Sequence, residues 1–151
     1  MFARWTWGKP AAAVAEVLDA AGATGLIAVL EAAPLARMLA DKGRSVLPLA
    51  RSDRGLKQWA GSAARASRSA LPLADGALAG LVATAGRTRE GDWGALLAEW
   101  SRAVRDGGVV IVVDSSPPEE QTRRVLCAGL VELEQRAAGG LTVTSGRVRK
   151  L

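Results

Sequence analysis

The sequence predicts an α/β fold: a mostly parallel sheet with helices on both faces and an antiparallel hairpin at its C-terminal end. Three observations predict it. Short apolar runs of strand length alternate with stretches of helical periodicity. The runs are apolar throughout, as strands buried on both faces require. The last two strand-like segments flank Ala-Gly-Gly, a tight-turn sequence.

Taken in order, Pro10 to Ala21 reads as a helix, with proline in its first turn and Val14, Val17, Leu18 and Ala21 on one face. Gly22 and Gly25 punctuate its end. Leu26 to Leu30 (LIAVL) is a strand. Pro34 opens a helix to about Lys42, with Leu35, Met38 and Leu39 inward, and Gly43 stops it. Ser45 to Ala50 (SVLPLA) is the next strand, in which Pro48 predicts a bulge or a short pairing. Residues 51–70 are the least regular, with a short helix near Leu56 to Trp59 and a weak strand near Ser62 to Ala66.

Leu71 to Gly76 is turn-rich, and Leu78 to Ala83 (LAGLVA) is a strand. Asp92 is placed to cap a helix from Trp93 to about Arg105, with Leu96, Leu97, Trp100 and Val104 on one stripe. Asp106-Gly107-Gly108 ends it. Val109 to Val113 (VVIVV) is the clearest strand in the chain. Pro117 and Pro118 lead into a helix to about Ala128, with Glu119 and Glu120 at its positive end. Val131 to Arg136 and Leu141 to Thr144 form the hairpin. No internal repeat or long linker divides the chain, so residues 1–151 are expected to be one domain.

Composition narrows the chemistry. Hydrophobic residues make up 49% and charged residues 23%, as in ordinary globular proteins. No apolar run approaches the roughly 18–20 residues of a membrane span, and the N-terminus lacks the apolar core of a signal peptide. Cys127 is the single cysteine, which rules out an internal disulfide and fits a reducing, cytoplasmic compartment. Histidine and tyrosine are absent, so no Ser–His or Cys–His pair can form, the usual base near neutral pH is missing, and no metal site is expected. The net charge of +5 permits contact with nucleic acid or acidic proteins. It also fits the Ala-, Arg- and Gly-rich style of GC-rich, often bacterial, genomes.

Three segments carry a resemblance. LPLADGALAGLVAT (71–84) is similar to "LPF-ADGSFDAVVAT", WGALLAEWSRAVRDGGVVIVVD (93–114) to "ALLEEIARVLRPGGRLVIVD", and LCAGLVELEQRAAGGLTVTSGRVR (126–149) to a terminal "AGFxxVE" strand and hairpin. In this order they resemble the class I S-adenosylmethionine (SAM) methyltransferases across nearly the whole chain. The resemblance implies a Rossmann-like seven-stranded sheet of order 3-2-1-4-5-7-6 with strand 7 antiparallel. It also implies a cofactor site at the C-terminal ends of the first four strands.

At that site the sequence departs from the family's pattern. The family follows strand one with an acid and a Gly-rich loop; here Leu30-Glu31-Ala32-Ala33-Pro34 runs straight into helix. Glu31 matches the acid, while Ala32 and Ala33 stand where glycines would let backbone approach a ligand. Ala50 stands where the family places the acid that binds the ribose. Ser67 stands where it places the acid that binds adenine, and Ala79 replaces the acid of "FDAVV". The expectation is therefore a non-catalytic pseudoenzyme without cofactor that works through protein contacts as a scaffold or subunit, as the reduced methyltransferase-like domain of the anamorsin family does without binding cofactor. The alternatives are a small SAM-dependent methyltransferase with an atypical pocket and a basic nucleic-acid-associated subunit.

The candidate partner surface comprises Trp5, Trp7, Trp59, Arg51, Arg54, Lys57, Arg65 and Arg68. Trp is favoured in binding hot spots and arginines suit phosphate or acidic partners. Trp5 and Trp7 either pack back on the domain or form an aromatic patch. Glu31 is either a relic ligand-binding acid or a solvated carboxylate near a helix start. Trp93 and Trp100, at i and i+7, are expected in the core, Cys127 as a buried small hydrophobe, and Arg147 to Lys150 as a solvated tail.

Overall fold

The structure, a computed structural model, describes residues 7–51, 64–84 and 88–150. Its elements run α1 (Gly8–Ala20), β1 (Leu26–Leu30), α2 (Ala33–Asp41), β2 (Ser45–Ala50), β3 (Ala64–Arg65) and β4 (Leu78–Thr84). A short 3-10 turn (Glu90–Asp92) then leads to α3 (Trp93–Ala103), β5 (Val104–Asp114), α4 (Pro118–Cys127), β6 (Val131–Ala138) and β7 (Leu141–Arg147). The seven strands form one sheet in the order β3-β2-β1-β4-β5-β7-β6. Pairing is parallel from β3 to β5, and β7 runs antiparallel to both β5 and β6. This is the expected topology.

The side-chain alternation of the central strands divides the core into two layers. Ile27 and Val29 of β1, with Val109, Ile111 and Val113 of β5, meet Val14, Val17 and Leu18 of α1 and Leu35 and Leu39 of α2. Ala28 and Leu30 of β1, with Val110 and Val112 of β5, meet Trp93, Leu97 and Trp100 of α3 and Val125 of α4. Burial on both faces is why these strands read as unbroken apolar runs. Pro48 makes no bulge against β1, where it lies opposite Val29 in regular register. On its other side, among the described residues, β2 pairs with β3 through Leu49 and Ala50.

Several expectations are corrected. The third helix does not reach Arg105: it stops at Ala103, because Val104 is drawn into the sheet opposite Leu78. The next β4–β5 pair is Gly80 with Val109, so β4 spans the gap with one residue and β5 with four, and Asp106-Gly107-Gly108 is a bulge rather than a helix terminator. A Cβ on Gly108 would lie 2.7 Å from the Ala79 carbonyl oxygen, which is why glycine is required there. Asp92 makes no side-chain cap; it closes the 3-10 turn with helical backbone angles instead. Cys127 is exposed, since inward-facing Gln121 and Val125 set the phase of α4. The segment after β7 is not a free tail: Val148 is buried and exchanges backbone hydrogen bonds with Gly107 and Gly108, while the Lys150 N–H donates to Asp106.

Among the described residues, no helix is long and apolar enough to cross a membrane.

Candidate functional site

Parallel strands end together at one edge of the sheet, and there the ends of β1, β2 and β4 enclose a cleft of about 630 Å³. It is lined by Glu31, Arg51, Ser67, Arg68, Ser69 and Thr84, with Thr88, Asp92, Ala95 and Leu96 forming the wall that leads into α3.

Glu31 follows β1 directly, and its backbone is left-handed (φ 58°), an uncommon state for a residue other than glycine. Its N–H donates to the Leu49 carbonyl at 2.8 Å, and its carboxylate accepts the Arg51 N–H at 3.1 Å. The acid thus ties the end of β1 to the end of β2. After Glu31 only Ala32 intervenes before α2 begins at Ala33. Ala32 is buried, so the passage between strand and helix is two residues long and carries a Cβ at both. Pro34 in the first turn removes one of the helix's free N–H groups.

Ala50 is buried at the end of β2, and its carbonyl accepts the Ala66 N–H at 2.8 Å. Ser67 and Ser69 sit on the turn after β3 with their hydroxyl oxygens 3.0 Å apart. Between them Arg68 turns inward. It donates to the Thr84 carbonyl at 2.6 Å and lies 5.4 Å from the Trp100 ring centre, while its own carbonyl accepts the Trp100 indole N–H at 2.9 Å. Burial holds the Arg68 guanidinium below its ordinary pKa; the attraction of Glu31 opposes this and Arg51 adds to it.

The turn 71–76 is fastened from α3. Glu99 accepts the Leu71 N–H at 2.8 Å and pairs with Arg102, which also reaches the Leu73 carbonyl and Asp75. Hydrogen bonding to Arg102 holds Glu99 below the usual carboxylate range; burial opposes this, and the Leu71 N–H adds to it. A carboxylate depressed in the fold contributes stability above its unfolded pKa of about 4.3 and loses it as pH falls through the lower folded value. The melting temperature of Glu99→Gln is therefore expected to lie below wild type at neutral pH, with the two curves converging below about pH 4.

The structure brings Glu31, Ala32, Ala33, Ala50 and Ser67 to this one edge, with Arg51 and Arg68 beside them. Ala79 is not among them. It is the second residue of β4, buried against Gly25 and Gly108 at the opposite edge, so no ligand shared with Glu31 can touch it. Thr84, the last residue of β4, occupies the cleft position that Ala79 was expected to mark. Arg65 is exposed on β3. Trp7 is half-buried and packs on the α1–α2 side of the core. Trp5, Arg54, Lys57 and Trp59 lie outside the described residues. The wall from Thr88 to Leu96 had no counterpart in the sequence reading, although the end of β4 was the signal for it.

Asp114, at the end of β5, is not part of the cleft lining. Its carboxylate accepts the Ser115 N–H at 2.7 Å, the Ser116 hydroxyl and the Arg124 guanidinium at 3.1 Å. Arg124 continues to Glu90 at 2.8 Å and to Glu120 at 3.4 Å, and it lies 4.6 Å from the Trp93 ring centre. Among the described residues, no cluster of three or more His, Cys, Asp or Glu side chains is placed to hold a metal ion. The cleft itself offers charges and hydroxyls, which suit binding.

No family model matches the chain, and no curated protein sequence does. Solved structures do. DesVI of Streptomyces venezuelae superposes with a TM-score of 0.74 at 12% identity, over 97% of this chain and 93% of that one. The glycopeptide N-methyltransferase MtfA, complexed with sinefungin, matches at 0.72 and 14% identity over 93% and 87%. A complex between the Haloferax volcanii Trm112 methyltransferase activator and a predicted methyltransferase matches at 0.69 and 13% identity over 83% and 82%. With the strand order and the antiparallel seventh strand, these matches give the chain the fold of the class I SAM-dependent methyltransferases.

Proposed function

We propose that this is a methyltransferase-like protein that does not hold SAM and works through protein contacts, as a scaffold or subunit in the cytoplasm. The observation that carries the reading is the two-residue passage Glu31-Ala32 between β1 and α2. A backbone cradle for a ligand needs residues without a Cβ and free N–H groups. This passage supplies two side chains, a buried alanine and a proline in the first helical turn. Beside it, Ala50 offers no acceptor for ribose hydroxyls, and the Glu31 carboxylate is engaged by the Arg51 N–H. The residues present do not fit the cofactor.

Partner binding draws support from the exposed Arg51 and Arg65 on the β2–β3 side. The Haloferax match, a fold of this kind in complex with an activator protein, is a parallel. Sedimentation of the purified chain separates self-association from a need for a different subunit.

Calorimetry or thermal shift with SAM and S-adenosylhomocysteine tests the reading. A site with a dissociation constant of about 10 μM, exposed to about 1 mM ligand, stabilises the fold by about 2.7 kcal/mol. That corresponds to a rise of roughly 5–10 °C for a chain of this size. The expected response is flat; a saturable rise removes the reading. One observation favours a second reading, a small methyltransferase with an atypical pocket: the cleft remains hollow, with a volume in the range of small-ligand sites.

A further inference from the structure

We propose that the open edge of β6 pairs with the same strand of a second copy of this chain, antiparallel across a two-fold axis, with Gln135 opposite Gln135. The proposal names a surface and a partner for the protein-contact reading above and rests on that reading.

Among the described residues β6 pairs only with β7, so its other side is a sheet edge. The direction of the backbone groups follows from alternation. Val148 exchanges hydrogen bonds with Gly107 and Gly108, on the β5 side. Thr144 and Gly146 therefore point to β5, and Val143 and Ser145 point to β6. Their partners Arg136 and Glu134 direct their N–H and C=O groups to β7. Gln135 and Ala137 turn theirs to the open edge. Leu133, whose side chain shares the α4 face with that of Gln135, continues the series. The left-handed Glu132 (φ 52°) lies in the bulge of β6, and the alternation is regular beyond it.

An exposed edge of this kind pairs with another strand unless its side chains forbid it. Here the side chains select the partner. Glu134 and Arg136 lie on the α1 face. Glu134 is 54% exposed, and its carboxylate stands 3.7 Å from the Arg136 guanidinium of its own chain, beyond hydrogen-bond distance. In the register centred on Gln135, each Glu134 stands opposite the partner's Arg136, a reciprocal match of opposite charges. Each Leu133 stands opposite the partner's Ala137 on the other face. The adjacent registers of the same alternation set Glu134 opposite Glu134, or Arg136 opposite Arg136, and are repelled.

α4 supplies an apolar flank on the same side. Arg124 turns toward α3, where it meets Trp93 and Glu90, while Gln121 and Val125 face the sheet. The next step of the helix carries Leu126 further from α3, to the flank over β6. Leu126 is 56% exposed, one of two large apolar side chains left so among the described residues. This edge is at the far end of the sheet from β3, so pairing here does not involve the β2–β3 side.

Sedimentation velocity tests the proposal on wild type, Ala137→Pro, Glu134→Arg, Arg136→Glu and an equimolar mixture of the last two, with circular dichroism reporting the fold. Wild type is expected to sediment as a dimer at about 100 μM. Ala137→Pro removes an N–H that β7 does not use and is expected to be monomeric. Glu134→Arg and Arg136→Glu each set like charges opposite one another and are expected to weaken association at least about tenfold. Their mixture is expected to restore dimers, because each variant then faces the opposite charge in the other. The charge series decides alone if Ala137→Pro fails to fold. Monomeric wild type at about 100 μM, unchanged association in Glu134→Arg, or variants that stay monomeric when mixed overturns the proposal. Failure here with a flat response to SAM leaves the protein-contact reading standing with a different subunit as partner; a response to SAM removes that reading instead.

Discussion

Replacing Arg124 with methionine is expected to destabilise the fold by about 3–5 kcal/mol, the cost of removing one partner from a buried ion pair. Arg124 and Asp114 are each only 10% exposed, and their 3.1 Å contact is the inner link of a chain that ends at Glu90. Methionine fills much of the arginine stem's volume, so the loss is electrostatic more than steric. It leaves Asp114 charged in a nearly dry site with only the Ser115 N–H and the Ser116 hydroxyl. The outer pair Arg123–Glu90 is largely solvated, at 64% and 54% exposure, and contributes about 0–1 kcal/mol. Urea unfolding reads the difference. The double variant Arg124→Met with Asp114→Asn is expected to recover most of it, because removing both charges is far less costly than stranding one. A single-variant loss below about 1 kcal/mol would falsify the assignment of a dry pair.

Trp100→Ala is the second large effect, about 3–5 kcal/mol. The indole is completely buried and meets Trp93 edge-to-face, with ring centres 6.3 Å apart and planes at 89°. Truncation opens a cavity in the α3 layer, removes the indole hydrogen bond to the Arg68 carbonyl and removes the aromatic face beneath the Arg68 guanidinium. Trp100→Phe keeps a ring but not the N–H, and is expected to lose the single hydrogen bond, about 1 kcal/mol, plus a smaller packing term. The two variants separate the contributions in one denaturation series. An alanine variant no worse than phenylalanine would show that the core closes over the gap.

The order of elements was legible because both physical signals agreed along most of the chain. VVIVV and LIAVL are apolar at every position, and the structure buries both faces of them. The hairpin was legible from its turn: Ala138 pairs with Leu141, leaving Gly139 and Gly140 as a two-residue turn with positive φ at both. The errors arose where tertiary pairing overrode local preference. Val104 continues a helical stripe in sequence, and only its partner Leu78 makes it a strand residue. Cys127 sits among apolar neighbours in sequence, yet the phase of a helix, set by Gln121 and Val125, turns it outward. Gln121 itself is buried because its amide serves the Asp114 and Ser116 carbonyls and accepts the Thr144 hydroxyl. No sequence period announces that.

The cleft was legible at the ends of β1 and β2, where strand boundaries were sharp. It was misjudged at β4, where a motif was matched to the strand's first residues although ligands meet its last. Arg124 was missed because its partners, Glu90 and Asp114, lie 34 and 10 positions away in sequence.

The passage from β1 to α2 has a historical consequence. Substitution can exchange Ala50 for an aspartate in one step, but no substitution adds backbone between Leu30 and Ala33. Glu31 already adopts the left-handed geometry a glycine would choose, so even Glu31→Gly changes little in the path of the chain. A lineage with this connection can drift freely in side chains, while a longer turn is open to it only through an insertion, a far rarer event that acts as a ratchet.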